Sequence, residues 1–200
     1  MAAISSYYFL SSKKTTVKVE TTKQYRNSLT NLSFTYPKIL TASTTDNIVT
    51  LHHDIPFENT GSCDMMGGNK KFDKLTDFEM TAQIVEKDLT STVKKLSPYI
   101  PQENYVNDEL IPSPGFIDTY NIGTLSGFAI YEGAEGCGQT TYYFPIEKQK
   151  TLVITNASIQ ALHPSVKPAD EIQKILAIPG VISREENQKI FENILKSLKI

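Results

Sequence analysis

His52, His53 and Asp54 are consecutive side chains able to bind a metal or move a proton. A histidine beside a carboxylate can begin a zinc site or orient a general base, but zinc needs at least one further ligand. His163, Glu132 and Glu135 are the available suppliers. Successive side chains on a strand point to opposite faces, so His52 and Asp54 share one face and His53 takes the other. No more than two of the three can converge, and the metal set this permits is His52, Asp54 and His163. The plainer role for each histidine is a hydrogen bond from a strand end to a nearby carboxylate or carbonyl.

Other reactive patterns are incomplete. Asp64, Asp73 and Asp77 fall in or beside a glycine-containing stretch, but their spacing does not reproduce the alternating oxygen ligands of an EF-hand, and a solvated acidic loop is the simpler expectation. Gly133, Gly136 and Gly138 imitate a phosphate loop in the order G-x-x-G-x-G, without the Lys-Ser/Thr pair and with a strand after them. They read as a turn holding Cys137. No serine sits in a G-x-S-x-G elbow, so no catalytic residue is assigned and no cofactor is expected. Asn31-Leu32-Ser33 and Asn156-Ala157-Ser158 fit the acceptor pattern for N-glycosylation.

Cys63 and Cys137 are the two cysteines, and each lies in a glycine-containing stretch. Within one chain they can pair in one way. A bond between them would close about 75 residues, which the chain-entropy relation values at roughly 4 kcal/mol. Such a bond implies an oxidising compartment outside the cytoplasm.

The elements that must position these residues follow from periodicity. Six strands are predicted, over residues 32–36, 48–53, 78–85, 125–132, 140–146 and 151–156, from alternation of apolar and polar side chains. Pro56 is expected to end the second, and residues 58–74 to form a long loop. A short helix is predicted over Leu89 to Leu96 with Asp88 as its cap, followed by a proline-rich surface excursion over 97–115. Ser183 and Glu186 form a capping box ahead of Ile190, Phe191, Ile194, Leu195 and Leu198, an apolar stripe expected to lie across the sheet. The fold class is therefore α+β, with about six strands and an amphipathic C-terminal helix packed on them.

The chain has 200 residues, enough for one core of ordinary size, and its 40% apolar and 21% charged content is that of a folded domain. With 20 basic and 22 acidic side chains it lacks the basic footprint that nucleic acid requires, so nucleic acid is excluded as a partner. Residues 1–30 are set apart as an N-terminal tail and 31–200 as one domain. Ala2 to Leu10 are apolar and aromatic before a polar run, as in the remnant of a membrane anchor or signal segment. The membrane is otherwise not a partner.

Leu32-Ser33-Phe34-Thr35-Tyr36-Pro37 and the closing Phe191 to Ile200 segment resemble the frame of PsbP-like domains. His53-Asp54-Ile55-Pro56-Phe57, Cys63-Asp64, Leu75-Thr76-Asp77-Phe78, Glu132 to Gly138 and Tyr142-Tyr143-Phe144-Pro145 are similar to a set of uncharacterised bacterial secreted or membrane-anchored proteins. The resemblance spans about residues 30–200. It implies an antiparallel sheet sandwiched by helices, an extracytoplasmic location and action through binding; fold alone does not carry the ligand. The expected function is a non-enzymatic binding or assembly module of the cell envelope. A metal-dependent enzyme and a purely structural envelope protein are the rivals. The expected surface is the sheet end where the two cysteine loops meet the exit of the second strand. There His53, Asp54, Glu132 and Glu135 would converge and favour a cationic ligand or a basic patch on an envelope protein.

Overall fold

Alternating apolar side chains build the sheet, and capped amphipathic segments build the helices. The computed structural model describes residues 21–60, 71–134 and 137–200. Cys63, Asp64, Glu135 and the apolar start of the chain lie outside the described residues, and so do the expected cysteine pairing and the anchor remnant.

In chain order the strands are β1 (Thr22–Arg26), β2 (Ser33–Pro37), β3 (Thr41–Thr45), β4 (Ile48–Thr60) and β5 (Lys71–Val85). After helix α1 (Leu89–Leu96) come β6 (Tyr105–Val106), β7 (Glu109–Leu110), β8 (Ile117–Ile122), β9 (Leu125–Ala134), β10 (Cys137–Glu147) and β11 (Lys150–Ala157). Helices α2 (Ala169–Leu176) and α3 (Arg184–Lys196) complete the chain. The fold is mixed α+β, with a seven-stranded antiparallel sheet in the order β3-β4-β5-β11-β10-β9-β8 and two small ribbons, β1-β2 and β6-β7.

Alternation along the central strands fills both faces. On one, Phe78 and Met80 of β5, Tyr142 and Phe144 of β10 and Ile154 of β11 share a core with Phe34 of β2 and with Ile190, Phe191, Ile194 and Leu195 of α3. On the other, Val93 of α1 packs with Tyr143 of β10 and Val153 of β11. Each of these helices starts at a side-chain cap. Asp88 Oδ1 accepts the Ser91 amide at 2.9 Å, and Ser183 Oγ accepts the Glu186 amide at 3.1 Å.

Several expectations change. The predicted strand 32–36 pairs with β1 in a ribbon outside the main sheet, where Tyr25 stacks on Phe34 with ring centroids 5.0 Å apart. Part of the segment assigned to an N-terminal tail therefore belongs to the folded unit. The unpredicted edge strands β3 and β8 bring the sheet to seven. Pro56 does not end β4, because the register shifts between Pro56 and Asn59 and absorbs the missing amide. Residues 58–60 and 71–74 of the expected 58–74 loop are instead strand, paired as Asn59 with Phe72 and Thr60 with Lys71, and the rest of it lies outside the described residues. The 97–115 excursion contributes buried Ile100 and Leu110 to the second core. Gly133 and Gly138 face each other across β9 and β10 with φ of 136° and 122°; an added Cβ at either would sit 1.9 Å from a backbone oxygen. Their spacing serves strand approach.

Candidate functional site

Two register shifts in the β4-β5 ladder decide where the candidate residues go. His53 pairs with Phe78 and Asp54 with Thr76, leaving Asp77 as an extra residue on β5. A bulge of this kind re-aims a side chain, and Asp77 is fully buried. Its Oδ1 lies 2.7 Å from His53 Nδ1, its Oδ2 accepts the Ile182 amide at 2.7 Å, and its main-chain oxygen accepts from Asn187 Nδ2 at 3.0 Å. Asp77 is thus a strut between the sheet and α3, not a member of an acidic loop.

His52 and Asp54 project from the opposite face, with His52 Nε2 3.8 Å from Asp54 Oδ2. Asp54 also accepts from Lys74 Nζ at 2.6 Å and Thr76 Oγ1 at 2.7 Å. Burial pushes its carboxyl up, but the hydrogen bonds from Lys74 and Thr76 and the Lys74 charge outweigh it, so its pKa falls below the ordinary value.

Glu132 is remote from both. Strands β5, β11 and β10 separate β4 from β9, and Glu132 is held by Ser97 Oγ and Gln139 Nε2, each at 2.8 Å. Ser97 is fully buried and also lies 2.8 Å from the Tyr143 hydroxyl. Desolvation, relieved in part by the Ser97 bond, pushes the Tyr143 phenol up to about 12. The expected convergence of His53, Asp54 and Glu132 on one surface for a cationic ligand does not occur. His53 is turned toward α3, Asp54 is neutralised by Lys74, and Glu132 is pinned beneath α1; Glu135 lies outside the described residues. The metal set is divided too, with His52 and Asp54 on one face and His163 on the α3 side. No group of three or more His, Cys, Asp or Glu gathers among the described residues.

A different constellation forms at the end of the sheet. The register sets Tyr131 of β9, Thr140 of β10 and Asn156 of β11 side by side. The next row inward is Ala129, Tyr142 and Ile154, where the core begins. Beyond Ala157 the chain passes through a short 3-10 turn, Gln160–Leu162, to His163. Between that segment, the polar row and the first turn of α3 lies a cavity of about 590 Å³. His163, Arg184 and Glu185 line it with the row.

Two features give this cavity chemical character. Asn156 Oδ1 is shielded from solvent without a hydrogen-bond partner among the described residues, which is unusual for a buried carbonyl oxygen. His163 Nδ1 accepts the Ser165 amide at 3.2 Å, so the neutral ring carries its proton on Nε2 as a donor. Burial and then the Arg184 charge hold the His163 pKa below its ordinary value, favouring this neutral form. Of the candidate site residues named from sequence, His163 lines the cavity; Asn156, Ala157 and Ser158, noticed solely as a glycosylation triplet, line it as well.

No known family and no curated protein matches the chain. A crystal structure from Bacteroides thetaiotaomicron VPI-5482 is similar, with 9% identity and a TM-score of 0.45 over 90% of this chain. The match covers 48% of that protein, so the present chain spans about half its length. No described helix is long and apolar enough to cross a membrane.

Proposed function

We propose that the chain is a non-enzymatic binding module that works outside the cytoplasm, and that its ligand enters the cavity at the end of the sheet. The observation that carries this reading is the orphaned Asn156 Oδ1. A buried acceptor left unpaired costs about 1–3 kcal/mol, and a ligand that turns the Asn156 amide into the cavity and donates to its oxygen recovers that cost on binding. A volume of about 590 Å³ is within the usual range for small-molecule sites. The finer architecture, a PsbP-like α/β/α sandwich, belongs to the same proposal; its support is that α1 and α3 pack on opposite faces of the sheet.

Asn156→Leu separates a binding role from a structural one. Removing an unsatisfied polar group in favour of an apolar side chain of similar size is expected to leave the melting temperature unchanged or higher. It is also expected to abolish stabilisation by any hit from a library of small polar metabolites screened by thermal shift. A variant that melts lower and still responds to the same hits would assign Asn156 to the scaffold and remove the basis of the proposal.

The compartment belongs to the proposal as well. No cysteine among the described residues is free. Alkylation of the natively folded protein without reductant, read by intact mass, is expected to label neither Cys63 nor Cys137. Two labelled thiols would reverse both the pairing and the extracytoplasmic location.

A further inference from the structure

Resting on that reading, we infer that the cavity takes a small organic acid that also carries hydrogen-bond donors, an amino acid or a hydroxy acid. The cavity offers a carboxylate two kinds of donor. Arg184 is exposed and makes no ion pair among the described residues, so its guanidinium fork is available for two parallel bonds to a carboxylate. The Nε2 proton of neutral His163 supplies another donor, with its tautomer fixed by the Ser165 amide. Asn156 Oδ1 makes the opposite demand: whatever satisfies it must bring an N–H or O–H. Thr140 and Ser158 hydroxyls, which also line the cavity, can donate or accept.

The balance of charge narrows the class. Arg184 and Glu185 contribute one positive and one negative group to the lining, and His163 is held toward its neutral form by burial and by Arg184. A polyanion would meet Glu185 without a second cation to offset it. A molecule with a single carboxylate places that group at Arg184 and leaves ammonium or hydroxyl protons for Glu185 and Asn156.

Calorimetry on the full chain with L-serine, D-glucuronate, D-glucose and inorganic phosphate tests this. Serine or glucuronate is expected to bind, and whichever does so identifies the source of the donors as amine or hydroxyl. Glucose and phosphate are expected to bind at least tenfold more weakly. Arg184→Gln is expected to weaken the acid at least tenfold at an unchanged melting temperature. In the complex, an NMR titration should place the His163 pKa above its value in the free protein, because a carboxylate offsets the Arg184 charge. Glucose or phosphate binding as tightly as the acids, or acid binding indifferent to Arg184→Gln, would overturn the inference while leaving the cavity a binding site. Silence from all four probes overturns it too, and the wider metabolite screen then decides the binding reading independently.

Discussion

Asp77→Ala is expected to lower the stability of the fold by about 2–6 kcal/mol, since each of two donors left without its buried acceptor costs about 1–3 kcal/mol. The substitution strands two donors at once. His53 Nδ1 and the Ile182 amide each lose a partner at 2.7 Å, and Ile182 is only 1% exposed, so water cannot readily replace the carboxylate. Against a total of roughly 5–15 kcal/mol for a domain, the loss is large. Asp77→Asn is expected to fall nearly as far. An amide oxygen can serve one donor, and the amide nitrogen then faces the other. Urea denaturation of both variants, with His53→Ala completing a double-mutant cycle, measures the coupling. A loss below about 1 kcal/mol for Asp77→Ala would mean that the strut contributes little and that its geometry is incidental.

That strut also marks where sequence patterns lose their force. Helix α1 was legible because Asp88 caps it and Pro98 follows it, and β9, β10 and β11 because alternation alone identifies a half-buried strand. The bulge at Asp77 carries no such signal. Its parity with Glu79 and Thr81 places it among solvent-facing residues, and only the pairing of His53 with Phe78 and of Asp54 with Thr76 turns it inward. Other misses had a signal. Asp46-Asn47 and Asn107-Asp108 all adopt positive φ and close tight two-residue hairpins, β3-β4 and β6-β7, as Asx pairs do. Pro168 with Asp170 and Glu171 announces the start of α2. The cavity had none, because Tyr131, Thr140 and Asn156 become neighbours through register and meet Arg184 through the docking of α3. The expected surface for a cationic ligand failed for a related reason. Nothing in the order of strands along the chain indicates that three of them lie between β4 and β9.

A chain ending at Ser183 is expected not to fold. It lacks Ile190, Phe191, Ile194 and Leu195, all buried, and the burial of four such side chains is worth about 6–12 kcal/mol, comparable to the entire stability of a domain. The loss spreads beyond the helix. Phe191 sits with its ring centroid 5.0 Å from that of Tyr142, so truncation opens the largest core to water. Ser33 and Lys199 exchange two backbone hydrogen bonds of 2.9 Å, and Ser197 Oγ accepts the Thr35 amide at 2.9 Å. The β1-β2 ribbon therefore loses its tether as well. Phe191→Ala is the graded version, expected to cost about 3–5 kcal/mol through lost burial and the cavity left behind. Circular dichroism melting and the dispersion of amide proton shifts distinguish the outcomes. The truncated chain should give no cooperative transition, and Phe191→Ala a cooperative one at lower temperature. A truncated chain that melts cooperatively at the full-length temperature would mean that the sheet and α1 form a self-sufficient core and that α3 is an appendage to it.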